Sequence, residues 1–97
     1  MNEIYLNFQK KLFINNQFHD PKNKKYFETI NPSNETQICE IPESSFEDVD
    51  LAVQSAHNAF NGPWKNFTPF DRGRLLFKFA DIIEKNLEKL SYLESID

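Results

Sequence analysis

The spacing of apolar residues changes near residue 43, and this change most constrains the fold. Before it, short apolar runs alternate with turn-forming residues, whereas after it apolar residues recur every three or four positions, as in amphipathic helices. The chain has 97 residues, which suits one domain near the lower size limit of an independent core. We therefore predict an α+β fold, with short antiparallel strands over about 12–41 and two or three helices over about 45–97.

The strands are predicted from apolar runs bounded by turn residues. Asn15 and Asn16 can adopt the left-handed conformations that a tight hairpin turn needs. Proline restricts the residue before it and cannot donate a hydrogen bond to a sheet, so Pro32 and Pro42 are expected to follow the ends of two further strands. The predicted strands are Leu12–Ile14, Gln17–Phe18, Tyr26–Ile30 and Thr36–Ile41.

Capping residues predict where the helices begin. Ser44 or Ser45 followed by Glu47 or Asp48 forms a capping-box pattern, and Asn61-Gly62-Pro63 ends the first helix. Asp71 is expected to cap a second helix whose apolar face is wider than a narrow stripe and therefore needs cover on more than one side. Further apolar residues either continue this helix or form a short third one capped by Asn86; they are Leu90, Leu93 and Ile96.

Composition excludes several classes of partner. The net charge is −4 and there is no basic stripe, which argues against binding to nucleic acid or to a membrane surface. No apolar run approaches the ~20 residues of a membrane span, and Met1–Asn7 has neither the positive region nor the apolar run of a targeting segment. The single cysteine, Cys39, fits a reducing compartment. We expect a cytoplasmic protein.

Several segments share a recognisable set of residue types in a fixed order. They are Leu12–Phe18, Phe27–Ser33, Glu47–Val53, Ala56–Phe60, Pro63-Trp64, Arg72–Leu76 and Leu93–Asp97. In residue type, order and approximate spacing, these segments resemble the opening region of the aldehyde dehydrogenase family from about Leu12 onward. Residues 1–11 are therefore interpreted as an extension and 12–97 as a partial amino-terminal region of that fold, without its Rossmann sheet. The resemblance implies a truncated homologue.

The family's chemistry requires groups that the resemblance places downstream of this chain. A cysteine thiolate attacks the aldehyde, a hydride passes to NAD(P), and a glutamate activates water. Cys39 lacks the family's nucleophile motif and is interpreted as a packing residue. With Gly62 and Gly73 as its two glycines, the chain cannot form a G-x-G-x-x-G phosphate loop. We expect no catalytic and no cofactor-binding residues here.

One site is carried over by the resemblance. Many family members hold a structural K⁺ or Na⁺ ion with backbone oxygens of a Thr-Ile-Asn-Pro motif and a carboxylate of a Leu-Glu-x-Ile/Leu-Asp motif. The matching residues here are Thr29, Ile30 and Asp97, and such oxygen ligands suit hard cations. In the alternative interpretation, Thr29 is an ordinary strand residue and Asp97 a solvated terminus.

Three hypotheses about function follow. The first is a truncated aldehyde dehydrogenase homologue that is inactive alone. The second is an interaction module that docks onto a full-length aldehyde dehydrogenase subunit, because the apolar face of the second helix lacks its usual cover. The third is a small domain with an unrelated binding role, which would need a concave pocket with convergent polar groups.

Overall fold

The computed structural model describes residues 3–97 and contains four strands and three α-helices in this range. The strands come first and the helices follow, so the predicted α+β class is confirmed. In chain order the elements are a 3₁₀ helix Glu3–Leu6, β1 Leu12–Ile14, β2 Gln17–His19, β3 Tyr26–Ile30, β4 Gln37–Pro42, α1 Phe46–Asn61, a 3₁₀ helix Pro63–Asn66, α2 Pro69–Lys85 and α3 Leu87–Ile96.

The strands form two separate antiparallel hairpins. β1 pairs with β2 around Asn15 and Asn16, whose φ angles of 53° and 60° lie in the left-handed region that the sequence predicted for this turn. The rings of Phe13 and Phe18 are cross-strand partners, with their centroids 4.9 Å apart. β3 pairs with β4, and their register shifts between Thr29 and Ile30.

A capping box starts α1 and also ties the strands to it. Ser45 Oγ accepts a hydrogen bond from the Asp48 backbone N–H at 3.3 Å, and the Asp48 carboxylate accepts one from the Ser45 backbone N–H at 2.9 Å. The same carboxylate accepts a hydrogen bond from the backbone N–H of Lys22 at 3.1 Å. Asp48 is only 2% exposed. It therefore holds the loop after β2 against the start of α1.

The start of α2 differs from the prediction in which residue is the cap. Thr68 occupies the N-cap position, Pro69 is the first helical residue, and Asp71 is the third residue of a second capping box. Thr68 Oγ1 accepts from the Asp71 backbone N–H at 3.1 Å, and the Asp71 carboxylate accepts from the Thr68 backbone N–H at 3.0 Å. Proline is favoured at a first helical position because the helix needs no hydrogen bond donated by the backbone nitrogen there.

A third helix is present, as one of the two predicted alternatives. Asn86 separates α2 from α3, but its side chain makes no capping bond to α3 and instead donates to the carbonyl oxygen of Ile82 at 2.8 Å. The first 3₁₀ helix packs on α3: Tyr5 donates a hydrogen bond to Glu88 at 2.9 Å, and its ring lies 5.4 Å from that of Tyr92. Between residues 3 and 97, no helix is long and apolar enough to cross a membrane.

The described part of the chain does not enclose an apolar core. From Tyr5 onward, Pro21 is the only nonpolar residue whose side chain is buried, and Phe46 is 96% exposed. The radius of gyration is 16.7 Å, against about 12.5 Å for a compact domain of this length. The accessible surface is 8119 Å², against about 5,800 Å² for a compact monomer of this mass. The backbone is regular, but the helices leave their apolar faces uncovered.

We predict that replacing Asp48 by Asn weakens the fold in a pH-dependent way. Hydrogen bonds, above all from the Ser45 backbone, lower the pKa of Asp48 below its ordinary value of 3.8. A carboxyl with a lowered folded pKa stabilises the fold above its ordinary pKa, and this contribution is lost as the pH falls through the folded value. Thermal melts followed by circular dichroism should show Asp48→Asn melting lower than the parent at neutral pH, with the difference shrinking below pH 3.8.

Asp50→Asn is the matched control, because Asp50 lies on the same helix and, within residues 3–97, its carboxylate bonds only the exposed side chain of Gln54. An equal loss in both variants would contradict the role assigned to Asp48.

The two glycines should respond to alanine in opposite directions. A Cβ at Gly62 would lie 2.7 Å from the carbonyl oxygen of Asn58, whereas a Cβ at Gly73 would meet no atom within 4 Å. Gly62→Ala should therefore destabilise the end of α1 by about 1–3 kcal/mol. Gly73→Ala should stabilise α2 by about 1 kcal/mol, because alanine is the better helix former. Urea titration followed by circular dichroism measures both, and stabilisation by Gly62→Ala would refute the steric argument.

Candidate functional site

A cavity of about 300 Å³ lies between the β3–β4 hairpin and α3. We call it the strand–helix cavity. Most of its wall is apolar, and its polar groups are concentrated on one strand residue and on the end of α3. The lining residues are Phe8, Thr29, Ile38, Cys39, Ile41, Leu90, Leu93, Glu94, Ile96 and Asp97.

Two of the three predicted cation ligands line this cavity. Thr29 reaches it from β3 and Asp97 from the end of α3, whereas Ile30 is not among the lining residues. The structure thus brings Thr29 and Asp97, which are 68 residues apart in the chain, to the same cavity. Ile30 follows directly along β3 and could offer only its backbone oxygen.

The backbone at Thr29 and Ile30 is irregular in a way that suits a ligand site. Thr29 pairs with Cys39 but Ile30 pairs with Gln37, so Ile38 is an extra residue on β4. Such a bulge disrupts the ladder locally and leaves backbone groups without their usual strand partners. Together with the Asp97 carboxylate, backbone oxygens at this point would form part of an oxygen ligand set, which fits a hard monovalent cation.

Cys39 belongs to the wall of the same cavity. It is half-buried, and its Sγ atom lies 3.6 Å from the hydroxyl oxygen of Thr29, which donates to the Cys39 carbonyl oxygen at 3.3 Å. A catalytic thiol is activated by a neighbouring base or positive charge, and a threonine hydroxyl supplies neither. The recorded contacts of Cys39 are therefore those of a packing residue.

A second cavity, of about 270 Å³, lies between the β1–β2 hairpin and α1. Its polar side chains bond within the protein: Ser55 donates to Asn15 at 3.3 Å, and Asp48 accepts from Lys22. His19 Nε2 lies 3.3 Å from the carbonyl oxygen of Ile14. These bonds hold the hairpin on α1 and do not converge on a common point in the cavity.

A hydrogen bond also joins the end of the first hairpin to β3. Tyr26 donates to Asp20 at 2.6 Å, and Asp20 lies 3.9 Å from the ammonium group of Lys11. The hydrogen bond from Tyr26, followed by the charge of Lys11, lowers the pKa of Asp20, and the same hydrogen bond raises the pKa of Tyr26. All three groups are exposed, so this cluster is a solvent-exposed contact that links the first hairpin to β3.

Two contacts were not assigned to particular partners from the sequence, one between near neighbours and one between residues far apart in the chain. The guanidinium of Arg72 donates to the Phe67 carbonyl oxygen at 2.6 Å, so this arginine ties the link between α1 and α2. The first 3₁₀ helix, with Tyr5 bonded to Glu88, lies in the segment interpreted as an extension. A 3₁₀ helix of four residues has no periodicity from which it could have been predicted.

Comparison with known proteins gives consistent matches. The sequence model of the aldehyde dehydrogenase family matches residues 18–97. An aldehyde dehydrogenase from Alternaria alternata is 49% identical over 89% of the chain, and aldehyde dehydrogenase family 2 member C4 from Arabidopsis thaliana is 52% identical over 90% of it. The chain spans only 17% and 18% of these two proteins.

Solved structures agree with the sequence matches. An aldehyde dehydrogenase from Bacillus cereus in complex with NAD⁺ matches 98% of the chain at 42% identity, with a TM-score of 0.91, and the match covers 20% of that protein. Betaine aldehyde dehydrogenase from Staphylococcus aureus, also in complex with NAD⁺, gives a TM-score of 0.91 at 30% identity over 98% of the chain and 19% of its own. The family match over residues 18–97, together with this shared backbone, shows that the chain belongs to the aldehyde dehydrogenase family.

Proposed function

We propose that residues 12–97 are the amino-terminal scaffold segment of an aldehyde dehydrogenase fold and that they act only when the rest of such a fold covers them. The main support is the contrast between a backbone that matches the Bacillus cereus enzyme with a TM-score of 0.91 and helices whose apolar faces point outward. In the Bacillus cereus enzyme this backbone makes up one fifth of the chain, and the other four fifths have no counterpart here.

The orientation of α1 carries this proposal. One side of the helix faces the first hairpin and presents Asp48 and Ser55, which bond to Lys22 and Asn15 respectively. The opposite side is apolar and exposed, with Phe60 69% accessible. An amphipathic helix normally buries its apolar face. In α1 the first hairpin packs on the polar side instead and leaves the apolar face uncovered. Cover must therefore come from another layer. This apolar face of α1 consists of Phe46, Val49, Val53 and Phe60.

The amount of uncovered surface is that of a permanent contact. The chain exposes about 2,300 Å² more than a compact monomer of its mass would. A partner that covered this excess would lose a similar area, about 4,600 Å² in all, and obligate interfaces bury roughly 2,000–5,000 Å² over both partners and are more apolar than transient ones. A single weak contact would not remove this excess.

The chemistry of the proposal follows from what the segment contains. Cys39 has a threonine hydroxyl as its neighbour, and the two glycines, Gly62 and Gly73, stand eleven residues apart. We propose that the segment alone neither oxidises aldehydes nor binds NAD(P), and that both properties need the remainder of the fold. The single cysteine supports a cytoplasmic location as part of the same proposal.

A second candidate function is docking onto a complete aldehyde dehydrogenase subunit. The outward apolar faces of α1 and α2 favour it as well, since an exposed patch of this size marks a binding surface. The two candidates differ in the partner: a scaffold segment needs a partner that lacks the matching segment, whereas a docking module binds the intact enzyme.

Complementation tests the proposed function. The Bacillus cereus enzyme, expressed without the fifth that matches this chain, is mixed with the chain and assayed for aldehyde-dependent formation of NADH. We expect no NADH from the chain alone and recovery of activity in the mixture. Val53→Asp, on the apolar face of α1, should reduce the recovery at least tenfold, whereas Gln54→Asp, on its polar side, should not.

Three results would count against this proposal. They are NADH formation by the chain alone, equal recovery with both variants, and binding of the chain to the intact enzyme as strong as to the shortened one. The last result would favour the docking candidate.

We also propose that Thr29, Ile30 and Asp97 contribute to a structural Na⁺ or K⁺ site, with further oxygens supplied by the remainder of the fold. In the complementation complex, K⁺ at 10 to 100 times its dissociation constant should raise the free energy of unfolding by about 1.4–2.7 kcal/mol relative to choline. Asp97→Asn should abolish this increase. Glu94→Gln, in the same cavity, is the control and should retain it. An increase that survives Asp97→Asn would remove Asp97 from the ligand set.

A further inference from the structure

α2 has a second apolar surface that the proposed function does not use. Phe70 and Phe77 are seven residues apart, or about two helical turns, and so lie on the same side of the helix. They are 74% and 78% exposed. We call this pair, with the charged side chains of Arg74 and Asp81 beside it, the aromatic stripe. The wide apolar face of α2, on the opposite side, consists of Leu75, Leu76, Phe79, Ala80, Ile82 and Ile83.

The charges of the stripe are arranged in a self-complementary way. Arg74 and Asp81 are also seven residues apart, lie within about one-sixth of a turn of the phenylalanines at 100° per residue, and are exposed. Neither forms an ion pair with another residue of the described range 3–97. If a second α2 lay antiparallel across the stripe, with the two-fold axis next to Phe77 and Lys78, each Arg74 would face the other copy's Asp81.

We propose that the aromatic stripe binds the same stripe of a second copy of this chain, with the two α2 helices antiparallel. Such a contact is isologous, because each copy presents the same patch to the other. It packs the two Phe77 rings together at the axis and forms two Arg74–Asp81 pairs, one on each side. In the same register Lys85 of one copy lies opposite Phe70 of the other, where a cation–π contact can form.

The charges favour a second copy over an apolar surface as the occupant. An apolar surface laid on the stripe would take Arg74 and Asp81 out of water without partners, which is strongly unfavourable. A second copy supplies the opposite charge at both positions. α2 has 17 residues and is about 25 Å long, so the contact is short and belongs to the class below about 1,200 Å² that forms weak, concentration-dependent complexes.

Site-specific cross-linking of the full chain tests this proposal. In a Cys39→Ser background, Lys78→Cys places a single thiol beside the proposed axis, and Ala80→Cys places one on the wide apolar face. A short bismaleimide should link Lys78→Cys to itself. In the Lys78→Cys background, Arg74→Asp or Asp81→Arg should each lower the cross-linking yield about tenfold or more, because each brings like charges together twice.

Mixing the two charge-reversed chains is the decisive measurement. One then carries two acidic and the other two basic residues at positions 74 and 81, so the mixed pair regains both ion pairs and the yield should return to that of the parent. This comparison stays valid if a single variant is destabilised, because the mixture contains the same variants. Association through the wide apolar face would instead cross-link Ala80→Cys, and the charge reversals would not change the cross-linking yield.

Yields at Lys78→Cys that are unaffected by the reversals, or that are not restored in the mixture, overturn the proposal. The experiment does not use the remainder of the aldehyde dehydrogenase fold. A negative cross-linking result would therefore not contradict the proposed scaffold function, and a failed complementation would not contradict the proposed contact between aromatic stripes.

Discussion

The buried carboxylate of Asp48 is the interaction on which the arrangement of strands and helices depends. It accepts hydrogen bonds from the backbone N–H and hydroxyl of Ser45 at the start of α1 and from the backbone N–H of Lys22, which is 26 residues earlier. A carboxylate that is almost fully buried is tolerated only when such donors satisfy it. The first hairpin is therefore held against the polar side of α1.

This arrangement explains the uncovered apolar surface. Because the polar side of α1 is occupied by the hairpin, its apolar side, with Val53 and Phe60, must face away from the strands. α2 adds a wide apolar face of its own. α3 contacts the first 3₁₀ helix, through Glu88 and Tyr5, at the other end of the segment. The relatives with a TM-score of 0.91 share this backbone and have about five times the chain length.

Much of the local structure could be predicted from the sequence because it depends on neighbouring residues. The left-handed Asn15-Asn16 turn, the Ser45–Asp48 capping box and the strand Tyr26–Ile30 all formed as expected. The cap of α2 was assigned to Asp71 although Thr68 holds it, because both residues can accept a backbone hydrogen bond and only the helix geometry selects between them. The same limit applies to the candidate cation site: the motif indicated Thr29 and Asp97, but their shared cavity follows from the packing of α3 against β3 and β4.

The sequence by itself determined the class of the fold, the order of its elements and the residues that begin and end them, because hydrophobic periodicity, capping and turn conformation act over a few residues. Only the tertiary structure decided which side of α1 faces the first hairpin and which side of α3 faces the first 3₁₀ helix. That choice depends on contacts between residues far apart in the chain, such as Lys22 with Asp48 and Tyr5 with Glu88. A periodic pattern shows that a helix has an apolar face. Which element packs on that face depends on contacts between residues that are distant in the chain.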